Sequence, residues 1–215
     1  MSRQPKLFTI IGEPGCGKTE RLIAHIRLRV TKNADRVIVI DPDGGEDKWN
    51  QFLRVDDINK LESNPNFKGV VVIPWEEGIT FKLLRKWAES KKLTNYIMVL
   101  DDVNAYATPR PEDDMLYFLR RKRQAGVDVF TTAHSWMECA AAVCRFTDFW
   151  DIGPAGGSPI ERQKEIGSVA VAKRLDKWQQ MANQNNADAK RKGQYHAWFG
   201  VDKLGQHPKT GKAPA

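Results

Sequence analysis

The chain has 215 residues and a mass of 24.4 kDa, with 41% hydrophobic and 28% charged residues, enough to bury one substantial core and too apolar for a disordered chain. Lys and Arg number 34 against 27 Asp and Glu, giving a formal charge of +7, which implies an acidic partner without identifying it. From Lys173 to Ala215, nine basic residues (173, 174, 177, 190, 191, 192, 203, 209 and 212) stand against Asp176, Asp188 and Asp202, so this end carries +6 of the +7. Cys16, Cys139 and Cys144 are too few and too scattered for a disulfide framework or a paired metal-ligand motif, and imply a reducing compartment. The N-terminus shows no cleavage-site pattern, and no apolar stretch approaches the roughly 18 residues that span a bilayer. A soluble, cytoplasmic protein with no transmembrane segment is expected.

Taken in chain order, short β-branched runs alternate with amphipathic stretches. Leu7 to Ile11, Arg36 to Ile40, Gly69 to Ile73, Tyr96 to Leu100 and Val127 to Thr131 are near-continuously apolar, as strands buried on both faces are. Lys18 to Val30, Phe81 to Lys91 and Pro111 to Gln124 are long enough for helices, the last with proline at its start and Gly126 past its end. Trp136 to Val143 reads as a short helix and Gly153 to Ser158 as a flexible loop or hinge. Beyond it, Val171 to Arg191 reads as a polar helix, Tyr195 to Val201 as a last strand and Asp202 to Ala215 as a disordered Gly/Pro/Lys tail. The alternation predicts an α/β fold with a mostly parallel sheet flanked by helices, divided into a core over residues 1–155 and a short basic C-terminal extension over 156–215.

The strongest local signal follows the first strand. Gly12-Glu13-Pro14-Gly15-Cys16-Gly17-Lys18-Thr19 is a full G-x-x-x-x-G-K-[ST] between a buried strand and a helix. Here glycines let the backbone N–H groups face phosphates, and the helix N-terminus adds positive potential. All eight residues are expected to bind nucleotide phosphates, with Lys18 on the β- and γ-phosphates and the Thr19 hydroxyl on Mg²⁺. The alternative is a glycine turn that merely connects strand to helix.

Such a loop needs a metal-anchoring carboxylate at the end of another buried strand. Tyr96 to Asp102 (YIMVLDD) provides one: Asp101 is assigned to Mg²⁺, directly or through water, and Asp102 to polarising the attacking water. Aspartate is about one methylene shorter than the glutamate common in this role, so its reach is the weak point. The plainer alternative for both is an acidic turn or helix cap.

The strand at 127–131 runs into Thr131-Thr132-Ala133-His134, where His134 reads either as a γ-phosphate sensor or, with Thr132 to Ser135, as a cap for the following helix. Arg120, Arg121 and Arg123 end the helix before that strand. They either complement its C-terminal dipole or project into a neighbouring subunit's site as a catalytic finger, with Arg145 and Arg85 as further candidates.

The set in this order is the P-loop, Asp41-Pro42 after a second strand, the Asp101-Asp102 strand end, and the basic run Leu119 to Gln124 leading through Gly126 into a strand ending at His134. Over about Phe8 to Pro154 it resembles the FtsK/HerA superfamily of P-loop ATPases, and more narrowly the genome-packaging ATPases of tailless, internal-membrane viruses with double-jelly-roll capsids. The chain departs from the pattern at His134, where Gln is common, and at Asp102, where many members have Glu. The resemblance implies a RecA/ASCE-like fold and ATP hydrolysis with Mg²⁺. It also implies a homo-oligomeric ring, commonly a hexamer, that threads double-stranded DNA, partners at a capsid vertex, and a place in host cytoplasm or virion.

The P-loop alone is also compatible with a small nucleoside or nucleotide kinase, with a non-catalytic nucleotide-dependent assembly switch, and with a filamentous-phage assembly ATPase. Against the kinase, the acidic pair directly after a hydrophobic strand suits water activation better than an acceptor pocket. The seven tryptophans read mainly as core or interface anchors, with base stacking as the alternative.

Overall fold

A computed structural model of the chain describes residues 4–33, 36–42, 47–57, 59–62, 67–90, 95–107, 113–191, 197–209 and 211–212. In chain order these form β1 (Leu7–Ile11), α1 (Lys18–Asn33), β2 (Arg36–Asp41), β3 (Leu53–Arg54), α2 (Asn59–Glu62), β4 (Gly69–Pro74), α3 (Thr80–Glu89), β5 (Tyr96–Leu100), α4 (Asn104–Ala107), α5 (Asp113–Ala125), β6 (Val127–Ala133), α6 (Ala141–Phe146), β7 (Phe149–Ile152), α7 (Gln163–Ile166), α8 (Val169–Arg191) and β8 (Phe199–Asp202). The predicted helix start at Pro111 lies outside the described residues.

The chain forms two compact units, one of residues 1–6 and 19–131, the other of 7–18 and 132–215. In the first, the strands run in the order β3, β4, β2, β5, β6, all parallel. Every residue of β5 and β6 is buried, which requires cover on both faces and explains why these segments are apolar without alternation. The cover is amphipathic: Leu22, Ile23 and Ile26 of α1, Phe81, Leu84 and Trp87 of α3, and Met115, Phe118 and Leu119 of α5 are buried at helical spacing. Arg85 fixes α3 to α5, pairing with Glu89 at 2.9 Å and Asp114 at 3.0 Å beneath the Tyr117 ring.

In the second unit β1 pairs with β7 in parallel, Ile11 opposite Ile152, and β8 pairs antiparallel with β7. β8 is shorter and later than the predicted 195–201 strand, and residues 192–196 lie outside the described set. Three expectations fail in this unit. The predicted helix at 136–143 is a turn over 136–138 followed by α6 at Ala141, because the Trp136 indole is buried and donates to Gln179 Oε1 at 2.8 Å. The predicted hinge at 153–158 is pinned at its start: Gly153 O accepts from Gln179 Nε2, and Ala155 exchanges two hydrogen bonds with the Asn183 amide. The predicted disordered tail is likewise turned and bonded over 203–209, where Asp202 N donates to Gln206 O and Trp178 Nε1 to Gly205 O.

Candidate functional site

Within the second unit, β1 hands over to the P-loop at Gly12, whose N–H donates to Ala133 O at 3.1 Å, while the Glu13 N–H donates to Pro154 O at 2.6 Å. Gly15 and Gly17 sit at φ +75° and +92°, the left-handed region that side-chain-bearing residues rarely adopt, so the curl of the loop depends on them. The Lys18 side chain is buried at 7% exposure, and its ammonium donates to Glu13 O at 3.0 Å. It also meets His134 Nδ1 at 2.8 Å. An ammonium can only donate, so His134 accepts there through Nδ1 and carries its ring proton on Nε2. His134 is the first residue beyond β6; Thr131 and Thr132 are buried inside that strand. Because α6 starts only at Ala141, after Ala140, His134 is not its cap. Cys16 is buried beside Lys18; burial pushes its thiol up, with Lys18 acting the other way.

Within the first unit, Thr19 Oγ1 donates to Asp101 Oδ2 at 3.4 Å, and the fully buried Trp49 donates its indole N–H to the same oxygen at 3.1 Å. Asp101 follows β5 directly and is 5% exposed. Asp102 lies in the left-handed region at φ +48°, a conformation that aspartate tolerates better than most residues and that turns the chain sharply off the strand. Asp41 ends β2, buried and paired with Arg54 at 2.9 Å. Arg120, Arg121 and Arg123 are exposed near the end of α5, which departs from helical geometry at Arg121 (φ −110°, ψ 22°). The β5–β6 register puts Tyr96 beside Val127 and Leu100 beside Thr131. Arg123, just before Val127, therefore lies toward the strand starts, whereas Asp101 lies at the strand ends. Arg145 is exposed on α6, and Arg85 is engaged between α3 and α5.

Two residues outside the motifs join these groups. Trp49, 52 residues from Asp101, orients its carboxylate, and Trp198 lies against Gly12 and Gly153. A buried tryptophan in a polar segment was the available signal for the first; nothing in the local sequence marked the second. Among the described residues there is no cluster of three or more His, Cys, Asp or Glu fit to hold a metal on its own, and no helix long and apolar enough to cross a membrane. The Thr19 hydroxyl and Asp101 carboxylate are hard oxygen donors at hydrogen-bond distance from one another, a pair suited to Mg²⁺ that keeps phosphate and water ligands.

No protein-family profile matches the sequence, and no curated protein matches it. Solved structures do. The genome-packaging NTPase B204 of Sulfolobus turreted icosahedral virus 2, in complex with AMPPCP, aligns over 92% of both chains at 14% identity and a TM-score of 0.62. B204 described as the DNA-packaging ATPase of Sulfolobus turreted icosahedral virus aligns over 93% of this chain and 94% of that one, at 14% identity and 0.61. The conjugation coupling protein TcpA of pCW3, with ATPγS, covers 79% of this chain and 54% of its own at 15% identity and 0.51. At such identities the likeness is one of architecture: this chain has the mostly parallel α/β fold of the viral genome-packaging NTPase B204, as the FtsK/HerA resemblance of its motifs leads one to expect.

Proposed function

We propose that the chain is an ATP-hydrolysing motor that translocates double-stranded DNA to package a viral genome into a preformed capsid. It would act as a homo-oligomeric ring, hexameric by the family resemblance, at a capsid vertex or in the host cytoplasm. The observation that carries the nucleotide half is the hydrogen bond from Thr19 to Asp101, since it joins the P-loop helix to the acidic end of a buried strand. Thr19 and Asp101 would hold Mg²⁺, directly or through water, and a metal bound there would neutralise phosphate charge. Lys18 spends its donors on Glu13 O and His134 Nδ1, both neutral acceptors, which anionic phosphate oxygens outcompete. Released from Lys18 in this way, His134 would act as the γ-phosphate sensor, donating a ring N–H to it. Asp102 would take a proton from the attacking water as its oxygen bonds to the γ-phosphorus and the bond to the ADP oxygen breaks. One of Arg120, Arg121 and Arg123 would act in a neighbouring subunit's site, the reading favoured by their exposure and their distance along the strands from Asp101 of the same chain.

The DNA half is supported by the fold shared with B204 and by the basic C-terminal residues. The test is the ATPase rate with and without long duplex DNA, alongside the native mass of the assembly. Phosphate release without an added acceptor, stimulated by DNA and found in a ring-sized assembly, is expected. Nucleotide binding without turnover in assembled rings with DNA would instead make the chain a switch, and strict dependence on a small acceptor would make it a kinase.

A further inference from the structure

Trp198 stands where the P-loop begins, and the chain has left room for it. A Cβ on Gly12 would lie 2.5 Å from Cys16 Sγ, 3.0 Å from Trp198 Cη2 and 3.5 Å from Lys18 Cγ, so the thiol, the indole edge and the lysine stem converge on one point. A Cβ on Gly153 would lie 2.7 Å from two ring atoms. Gly12 follows Ile11 and Gly153 follows Ile152, which are partners in the β1–β7 register. Side by side, the two glycines form a flat backbone seat, and the indole rests on it.

The indole is also held. Asn186 grips the preceding residue on both sides, its Nδ2 donating to Ala197 O at 3.1 Å and its Oδ1 accepting from Ala197 N at 2.8 Å. The next residue, Phe199, is locked into β8 opposite Ile152 and packs at a tilt against Trp178, ring centroids 5.2 Å apart. Despite this anchoring Trp198 remains half-buried, unlike Trp136 and Trp150 of the same unit, which are 0% and 3% exposed. A rigid, amphipathic ring on a residue that is only half-buried, beside the P-loop lysine, has the chemistry of a stacking platform.

We infer that Trp198 is the surface on which the base of the bound nucleotide stacks, an inference that rests on the P-loop binding a nucleoside triphosphate. The chemistry separates ligand halves: Lys18 and the loop take the phosphates, Trp198 the base. Stacking needs only a π-face, so its contribution is lost with the ring and kept by any aromatic residue of similar reach.

Equilibrium titration of the full chain with ATP and with inorganic tripolyphosphate, for the unaltered protein, Trp198→Leu and Trp198→Phe, tests this. Trp198→Leu is expected to weaken ATP roughly tenfold and leave tripolyphosphate unchanged, with Trp198→Phe within about threefold of the unaltered protein for both. Should the leucine variant lose its cooperative melting transition, Trp198→Met takes its place. Equal ATP affinity in the non-aromatic variant overturns the platform, as does a parallel loss of tripolyphosphate, which would make the indole a prop for the loop. An unaltered protein that binds neither ligand overturns the nucleotide reading and the platform with it, whereas the first two outcomes sink the platform alone.

Discussion

Lys18 and Thr19 are neighbours in the chain with different attachments, one to Glu13 O and His134, the other to Asp101. The P-loop motif itself was legible because it is local, eight consecutive residues whose types suffice. The partners were only half legible. Asp101 could be read from its place after an apolar strand, but the bond from Lys18 to His134 spans 116 residues and that from Trp49 to Asp101 spans 52, distances over which no spacing rule operates. Trp49 offers a direct check, because Trp49→Phe keeps an aromatic ring, though a smaller one, and deletes the N–H. Loss of such an orienting hydrogen bond is expected to raise the Mg²⁺ concentration for half-maximal ATPase activity by about tenfold with little change in the maximal rate; an unchanged Mg²⁺ titration would show that Asp101 does not depend on it. For Asp102, replacement by Asn should leave ATP affinity within about threefold while turnover falls at least about a hundredfold, the range of general-base catalysis. Steady-state rates and ATP titration together decide this, and near-normal turnover would remove Asp102 from the mechanism.

At the level of elements, the five apolar runs emerged as strands because burial on both faces leaves only one kind of residue acceptable along the whole strand. β3 and β7 escaped the reading, since Leu53–Arg54 is two residues long and Phe149–Ile152 carries Asp151, whereas the last strand was expected over 195–201 and lies at Phe199–Asp202. The loop after β7 misled for a physical reason. Gly-Pro-Ala-Gly-Gly-Ser has the composition of a hinge, but Gln179 and Asn183, eight and twelve residues into a helix that reads as merely polar, occupy its backbone groups. Gln179→Leu would leave the Trp136 indole N–H and Gly153 O unsatisfied in a buried place, and is expected to cost about 1–3 kcal/mol in denaturant unfolding. A variant within about 0.5 kcal/mol of the parent would mean that water replaces the amide without loss.

For the whole molecule, the uneven charge becomes testable without removing structure. Truncation from Lys190 would take away β8, which pairs with β7, so neutralisation is the cleaner probe. Lys173, Lys203 and Lys209 are exposed, and changing all three to Gln should weaken duplex DNA binding and flatten its salt dependence by roughly 0.9 in log–log slope for each phosphate no longer neutralised, with basal turnover within about twofold. An unaltered slope would place the DNA-binding surface elsewhere. The arginines require assembled protein: mixing an Arg120/Arg121/Arg123→Ala variant with Lys18→Ala should restore part of the activity that neither has alone, and no rescue would assign the cluster a role within its own subunit.

The pairing of β1 with β7 has a consequence for how the protein is made. Leu7 N donates to the Asp148 carboxylate and Thr9 bonds Thr147, partners 141 and 138 residues apart in sequence. During synthesis the strand that carries the P-loop emerges well before β7, so their pairing is a long-range step that is slow and leaves an apolar strand exposed meanwhile. A nascent or prematurely terminated chain lacking β7 therefore holds the whole P-loop motif in its covalent sequence without the strand that pairs along β1.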